Sequence, residues 1–276
     1  MAGRRRSRAS LPISPARKPP SSPVPTLSPT AALPPDRAQS NRAHDPPVGG
    51  SAHVQFQSAS WLSPNERRAG ATTRRPNMSI GIIGSGNIGA AFARALAKAN
   101  IPAVIANSRG PESLKALTDE LGPFITAGTR EEAASADIVL VAVNWSKLPP
   151  ALAGLPAWNG RIVIDANNPI EAPLFKPAEL GGRLSSEIFA DLVPGARVVK
   201  AFNHLQAHLV SGDPQAEGGR RVLFISGDDA AAKGEVARLI DRLGFFGLDL
   251  GPLSVGGSLA QFPGGPLPTL NLVRFG

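Results

Sequence analysis

Three glycines with the spacing of a phosphate-binding turn follow the segment Met78-Ser79-Ile80-Gly81-Ile82-Ile83. In such a turn the first glycine permits the tight bend, the second lets the backbone approach a pyrophosphate, and the third lets helix and strand pack closely. The helix that follows directs unpaired N–H groups at the phosphates. The spacing predicts a dinucleotide site, with a glycine turn that binds nothing as the alternative. The residues predicted to form it are Gly84, Ser85, Gly86, Asn87, Ile88 and Gly89.

The end of the second predicted strand indicates which dinucleotide binds. NAD-binding folds place a carboxylate there, about 20 residues after the glycines, to accept a hydrogen bond from the ribose 2′-hydroxyl. This chain has Asn107-Ser108-Arg109 instead, without a carboxylate. The Ser108 hydroxyl and the Arg109 guanidinium suit a 2′-phosphate. The pattern therefore predicts NADP, and the alternative is that Arg109 is a solvated loop cation.

Few side chains of this sequence can donate a proton to a substrate. The chain has no tyrosine and no cysteine, which excludes a Tyr-Lys dehydrogenase pair and a thiol nucleophile. Lys147, Lys200, His204 and His208 remain as candidate donors, and we predict Lys200, Asn203 and His204 as pocket residues without a firm catalytic role. His204 and His208 are four residues apart and would share a helix face at metal-ligand spacing. No third ligand accompanies them, so we predict no metal site.

Apolar strands alternate with helices along residues 78–276. The predicted strands are 79–83, 102–106, 124–127, 137–143, 161–166, 197–202, 221–226 and 245–250, and the predicted helices are 90–99, 111–121, 129–136, 185–192 and 229–243. Val- and Ile-rich strands that alternate with helices are typical of a sheet covered on both faces. We expect an α/β fold of the Rossmann type, with a doubly wound, mainly parallel sheet and helices on both faces. Ligands of such sheets bind at the carboxyl ends of the strands.

Residues 1–77 differ from the rest of the chain in composition. They hold 12 Lys and Arg against 3 Asp and Glu, and 13 of the 28 prolines. With no apolar period that could build a core, this basic, Pro- and Arg-rich extension is predicted to be disordered. It suits an arm for nucleic acid or an anionic surface, or a transit peptide. We favour a third hypothesis, that Met78 is the biological start, and we therefore expect no nucleic-acid partner.

Residues 78–276 are long enough for one well-buried domain, here an NADP-binding domain with a small C-terminal extension. Their apolar runs are about as long as Ile138-Val139-Leu140-Val141-Ala142-Val143, far short of the roughly 18 residues that span a bilayer. No secretory signal peptide is evident near Met1. We therefore expect a cytoplasmic protein that does not cross a membrane.

The motifs together resemble one family, the NADP oxidoreductases that depend on a deazaflavin coenzyme, factor 420. Besides the glycine turn and Asn107-Ser108-Arg109, the resemblance is carried by Ala142-Val143-Asn144-Trp145, Asp165-Ala166-Asn167-Asn168-Pro169 and Val199-Lys200-Ala201-Phe202-Asn203. It implies pyrophosphate binding by residues 85–88, 2′-phosphate binding by Ser108 and Arg109, and a homodimer. It places the nicotinamide beside Val143, Trp145, Lys147, Asn167 and Ala201, and Asn144 is predicted as a further cofactor-binding residue. Related NADPH-binding domains also occur in membrane ferric reductases.

Three positions depart from the archaeal enzymes of that family. Asn144 stands where they have a proline, and Ser113 stands where they have a basic residue, for which Lys115 is a candidate substitute. The segment Asn271-Leu272-Val273-Arg274-Phe275-Gly276 resembles one that continues further in those enzymes, close to the deazaflavin. The Pro- and Gly-rich residues 261–267 are predicted to form a loop over the pocket, with a plain surface loop as the alternative.

The residues predict NADP binding, and the family resemblance implies an oxidoreductase that transfers hydride between NADP(H) and a deazaflavin coenzyme. Such a transfer forms a delocalised ring anion, so stacking and orientation suffice without a protein acid. Two alternatives remain. One is an NADPH-dependent reductase of a flavin, imine or carbonyl compound that uses His204 or Lys200, and the other is a non-enzymatic NADPH sensor.

Overall fold

The computed structural model of the chain describes residues 78–171 and 174–276, so the prediction of a disordered extension at 1–77 lies outside the described residues. The strands are β1 (Ile80–Ile83), β2 (Ala103–Ala106), β3 (Ile125–Ala127), β4 (Ile138–Val141), β5 (Ile162–Asp165), β6 (Ile170–Glu171), β7 (Lys176–Pro177), β8 (Arg197–Ala201), β9 (Gln215–Ala216), β10 (Gly219–Gly227), β11 (Phe246–Asp249) and β12 (Val273–Arg274). The helices are α1 (Asn87–Lys98), α2 (Lys115–Leu121), α3 (Arg130–Ala134), α4 (Leu148–Leu152), α5 (Ser185–Asp191), α6 (Ala207–Val210), α7 (Ala230–Arg242) and α8 (Ser258–Ala260).

The central sheet has the strand order β11-β10-β8-β5-β4-β1-β2-β3. Strands β3, β2, β1, β4, β5 and β8 pair in parallel, while β10 pairs antiparallel with β8 and parallel with β11. The chain leaves β1 toward β2 and β3 on one side and returns to β4 on the other, which makes the β1–β4 boundary a topological switch point. Ligand sites of open α/β sheets lie beyond the strand ends at such a point.

Helices cover both faces of the sheet, and each face has its own apolar core. Neighbouring strand residues point to opposite faces, so Ile82 belongs to one core, together with Phe92 of α1 and Val236 of α7. Ile83 belongs to the other core, together with Leu148 of α4 and Phe189 of α5. The predicted α/β Rossmann-type fold, with a mainly parallel sheet and helices on both faces, is confirmed.

Local boundaries differ from the predicted ones where turns precede helices. Helix α1 begins at Asn87 rather than at residue 90, because the carbonyl of Gly86 already accepts from the N–H of Ala90 at 2.9 Å. The predicted helix 111–121 starts as a 3₁₀ turn, Pro111–Leu114, before α2. Helix α4 has no counterpart among the predicted helices. It contains Pro149 and Pro150, and proline fits a first helical turn, where no N–H donor is needed.

The residues after β11 pack back on the sheet. Strand β12 pairs antiparallel with the start of β10, joining Arg221 and Val273. The N–H of Thr269 donates to the carbonyl of His204 at 2.8 Å. In residues 78–171 and 174–276, no helix combines the length and apolarity needed to cross a bilayer.

Candidate functional site

A cleft of about 1060 Å³ opens at the carboxyl ends of β1, β2, β4 and β5. It lies at the switch point, where the strand order places a ligand site. Most of the predicted cofactor residues line it, and Gly89 and Ala201 do not. The predicted residues in the lining are Gly84, Ser85, Gly86, Asn87, Ile88, Asn107, Ser108, Arg109, Val143, Asn144, Trp145, Lys147 and Asn167.

The glycine turn closes tightly around the end of β4. Gly84 has a φ of 108°, and a Cβ there would lie 2.1 Å from the carbonyl oxygen of Ala142. A Cβ at Gly89 would lie 1.9 Å from the carbonyl oxygen of Gly84, so α1 can approach the strand only with glycine here. At Gly86 a Cβ would meet nothing within 4 Å. Gly84 and Gly89 are thus needed by the fold, whereas Gly86 leaves its space to a ligand.

Asn107 organises what we call the β2 end of the cleft, formed by Asn107, Ser108, Arg109 and Arg130. Its Oδ1 accepts from the N–H of Arg109 at 2.8 Å, and its Nδ2 donates to the hydroxyl of Ser85 at 3.1 Å. The side chain therefore joins the glycine turn to the loop that follows β2. Ser108 and Arg109 remain exposed toward the cleft.

The family has an additional basic residue near the arginine, and neither position 113, which is a serine here, nor Lys115 supplies that cation in this structure. Nδ2 of Asn107 donates to the Ser113 hydroxyl at 3.0 Å, so Ser113 helps to shape the loop. Lys115 forms an exposed ion pair with Asp119 at 2.8 Å and is not part of the cleft lining. The cation that sequence reasoning missed is Arg130, the first residue of α3, which does line the cleft.

The cleft is strongly biased toward positive charge. Arg109, Arg130 and Lys147 line it, and its described lining contains no Asp or Glu. A cleft with one sign of charge raises the local concentration of ligands of the opposite sign. The site therefore suits a polyanionic ligand such as a phosphorylated dinucleotide.

A buried network fixes what we call the β5 end of the cleft, formed by Val143, Asn144, Trp145 and Asn167. The Oδ1 of Asn167 accepts from the N–H of Val143 at 2.9 Å, and its Nδ2 donates to the carbonyl of Val141 at 3.0 Å and to Asp165 at 2.9 Å. Both amide hydrogens of Asn167 are occupied, so its side chain holds the end of β4 in place. The turn that presents Trp145 starts from this anchored strand end.

Lys200 and Asp165 form a buried ion pair beneath that network. Their charged atoms are 2.8 Å apart, and the two side chains are 1% and 0% exposed. Lys200 also donates to the carbonyl oxygen of Asn167 at 3.0 Å. Lys200 does not line the cleft; its ammonium is turned to Asp165 and supports Asn167 from below. The next residue, Ala201, is likewise buried and lies outside the cleft lining.

Comparison with known proteins agrees with this geometry. A family model described as NADP oxidoreductase, coenzyme F420-dependent, matches residues 79–169. The solved structure of a candidate F420-dependent NADP reductase from Arthrobacter sp. FB24 is 30% identical, with a TM-score of 0.55 over 64% of this chain and 86% of that one. The chain belongs to this family, the coenzyme F420-dependent NADP oxidoreductases. The hypothetical protein SMa0349 of Sinorhizobium meliloti is 48% identical, with a TM-score of 0.68 over 71% of this chain and 96% of that one.

Curated relatives are similar over one part of their length. Metalloreductase STEAP3 of Rattus norvegicus is 31% identical over 195 residues, which cover 69% of this chain and 37% of the relative. The chain thus spans little more than a third of that protein. The family to which the chain belongs is one of NADP-dependent oxidoreductases.

His204 lies behind the cleft of this F420-dependent family member and does not line it. Its ring is 4.3 Å from the ring of Phe224, and burial lowers its pKa from 6.5 to about 4. Neither ring nitrogen has a hydrogen bond of normal geometry, although the Val222 backbone is near. The imidazole is therefore a neutral packing group at pH 7. The expected shared helix face with His208 was wrong, because α6 begins only at Ala207.

Asn203 connects the cleft wall to the C-terminal segment. Its Nδ2 donates to the carbonyl of Ala260 at 2.6 Å and to Oδ1 of Asn168 at 3.1 Å. Asn168 lines the cleft and also accepts from the N–H of Phe262 at 3.1 Å. Residues 261–267, predicted as a loop over the pocket, do not line the cleft but are tied to its wall. Asn203 is thus a tether rather than a pocket residue.

Several lining residues carried no sequence signal. Asn168 was visible as part of the Asp165-Ala166-Asn167-Asn168-Pro169 motif, but no motif marked five other residues of the lining. These residues are Arg130, Pro150, Ala151, Ile170 and Phe175. Phe175 directly precedes β7 and is 64% exposed at the rim of the cleft. Among the residues described, no group of three His, Cys, Asp or Glu side chains could hold a metal ion.

Proposed function

We propose that the protein transfers hydride between NADP(H) and a deazaflavin coenzyme. The pyrophosphate binds on the turn at residues 85–88, and the 2′-phosphate binds at Ser108 and Arg109. The nicotinamide lies at the β5 end, beside Val143, Trp145 and Asn167. The cationic lining of the cleft and the open space at Gly86 support this arrangement.

The observation that carries the acceptor assignment is the chemistry of the β5 end. Its described lining has no His, Tyr or carboxylate, and Lys200 is paired with Asp165. A carbonyl reductase needs an acid for the developing alkoxide. A deazaflavin that accepts hydride becomes a delocalised ring anion, which water can protonate. Orientation of the two rings is then the main task of the protein.

Lys147 favours a second candidate function. It lines the cleft two residues after Trp145 and is exposed. An ammonium in this place suits proton donation to a carbonyl or imine that NADPH reduces. An NADPH-dependent carbonyl or imine reductase is therefore the alternative, with Lys147 in the role that the sequence suggested for His204 or Lys200.

One assay separates the two functions. NADPH oxidation by the full chain is measured at saturating deazaflavin coenzyme, with flavin mononucleotide, and with carbonyl and imine compounds. We expect turnover with the deazaflavin, and its rate at saturating NADPH should change little in Lys147→Met. A Lys147-dependent reductase would instead lose about 10²- to 10⁴-fold in rate on its carbonyl or imine substrate. Absence of turnover with the deazaflavin would overturn the acceptor assignment.

The cofactor assignment has its own test at Arg109. Arg109→Ala removes a charge-assisted contact to the 2′-phosphate, so the preference for NADPH over NADH should fall about 10- to 100-fold. Arg183→Ala, at an exposed ion pair outside the cleft lining, is the matched control. The ratio of the two dissociation constants, measured by fluorescence titration, decides the matter. An unchanged ratio in Arg109→Ala would contradict NADP as the cofactor.

The proposal also includes a homodimer, as the family resemblance suggests, and a cytoplasmic location, as the sequence suggests. Light scattering of the purified chain measures the first, and fractionation of the source cells measures the second.

A further inference from the structure

Arg130 is held in the cleft wall by two secondary-structure elements. Its backbone starts α3, where Thr129 and Glu132 cap the helix through reciprocal side-chain bonds. Its Nη1 donates to the carbonyl oxygens of Pro150 at 2.9 Å and of Ala151 at 3.1 Å, both in α4. The guanidinium thereby bridges α3 and α4, and both of these carbonyl residues also line the cleft.

The topology starts α3, and with it the backbone of Arg130, at the strand ends that also carry Arg109. Two residues before Arg130, the N–H of Gly128 donates to the carbonyl of Ile105 at 3.0 Å, which joins the end of β3 to β2. Ile105 lies two residues before Asn107. Arg130 therefore belongs to the β2 end, where the proposed function puts the adenosine half of NADP(H).

Arg130 and Arg109 present different groups to a ligand. No side-chain hydrogen bond of Arg109 appears among the described contacts, so its donors can face a phosphate. The Nη1 edge of the Arg130 guanidinium is occupied by two carbonyl oxygens, and its Nη2 is 3.5 Å from the Glu131 carboxylate. A guanidinium held by its edge offers its flat face, and that face stacks on aromatic rings. The described lining has no aromatic side chain at the β2 end to take this role.

We propose that Arg130 is the platform on which the adenine ring of NADP(H) stacks, and that it is a binding residue distinct from the 2′-phosphate site at Arg109. This inference rests on the proposed binding of NADP(H) in the cleft, but it does not depend on the acceptor. It assigns base recognition to α3 and 2′-phosphate recognition to the loop after β2.

Deleting the base from the ligand and the guanidinium from the protein tests this pairing in a thermodynamic cycle. The probes are adenosine 2′,5′-bisphosphate and ribose 2,5-bisphosphate, which differ by the adenine. Their dissociation constants are measured by calorimetry for the wild-type chain, Arg130→Leu and Arg130→Lys. Arg109→Ala serves as the matched arginine variant.

We expect Arg130→Leu to weaken adenosine 2′,5′-bisphosphate about 3- to 30-fold while ribose 2,5-bisphosphate binds as before. Unchanged binding of the ribose probe also shows that the variant is folded. Arg130→Lys should behave like Arg130→Leu, because an ammonium lacks the flat face. The NADPH to NADH ratio should stay constant in both and fall only in Arg109→Ala.

Three results would overturn the inference. Equal weakening of both probes in Arg130→Leu would mean that Arg130 holds a phosphate or the fold. Full affinity in Arg130→Lys would mean that charge alone matters. A changed NADPH to NADH ratio in Arg130→Leu would move Arg130 to the 2′-phosphate. Failure of the deazaflavin assay alone would leave these binding results unaffected, so the two proposals fail separately.

Discussion

At the β2 end of the cleft Ser108 and Arg109 are exposed, whereas beneath the β5 end Asp165, Asn167 and Lys200 are buried at 0%, 3% and 1% exposure. The first region holds its loop through Asn107 and leaves its charged groups to solvent or a ligand. The second satisfies its polar groups within the protein. One end can therefore change its ligand preference at small cost to the fold, whereas the other cannot change without affecting stability.

A comparison of two Lys–Asp pairs, one buried and one exposed, tests this difference most strongly. Lys200–Asp165 and Lys115–Asp119 have the same separation of 2.8 Å, but the first pair is buried and the second has side chains that are 71% and 62% exposed. Lys200→Met leaves the Asp165 carboxylate buried without its partner. We expect the free energy of unfolding to fall by about 3 to 5 kcal/mol in urea titrations.

Two further variants control this experiment. Lys115→Met should change stability little or not at all, because water already solvates both charges of the Lys115–Asp119 pair. The double variant Asp165→Asn with Lys200→Met should regain most of the loss, because it leaves no unpaired charge. A loss below 1 kcal/mol in Lys200→Met alone would show that the buried pair does not hold the β5 end.

Sequence patterns predicted the parts of the site that local geometry determines. Gly84 and Gly89 could be recognised because a turn and a close approach admit only glycine, and Arg109 because it follows a strand end. Lys200 was recognised as part of a motif and predicted as a pocket residue, but it is buried and does not line the cleft. Its burial depends on Asp165, which lies beside it only through the pairing of β5 with β8. Arg130 escaped notice because its cleft position depends on contacts with α4, 20 residues away along the chain.

Acid should weaken the region behind the β5 end through His204. Burial lowers its pKa to about 4, while in the unfolded chain the value is 6.5. Between these values the unfolded state binds the proton and the folded state does not, so stability is full above pH 6.5 and falls as the pH drops toward 4. The full shift corresponds to about 3 kcal/mol. Urea titrations from pH 7 to pH 4.5 measure most of it.

The slope of stability against pH, rather than its level, identifies His204 as the cause. His204→Gln should flatten that slope, whatever it does to stability at pH 7. His208→Gln is the matched control, because His208 is exposed, and it should keep the wild-type slope. Equal slopes in all three proteins would mean that other groups carry the acid sensitivity.

The glycine turn lies between the two ends and shows the same contrast within four residues. The fold requires Gly89, whereas the space at Gly86 is open to a ligand. Gly89→Ala puts a Cβ 1.9 Å from the carbonyl oxygen of Gly84, so the backbone must move and stability should fall by about 1 to 3 kcal/mol. Gly86→Ala meets nothing within 4 Å, and its φ of −72° suits alanine, so the fold should keep its stability. Its methyl group lies where the pyrophosphate must approach, so NADPH binding should weaken. Urea titrations of both variants measure the effect on stability, and NADPH titrations measure the effect on binding. If Gly86→Ala binds NADPH as tightly as the wild type, the pyrophosphate lies elsewhere in the cleft.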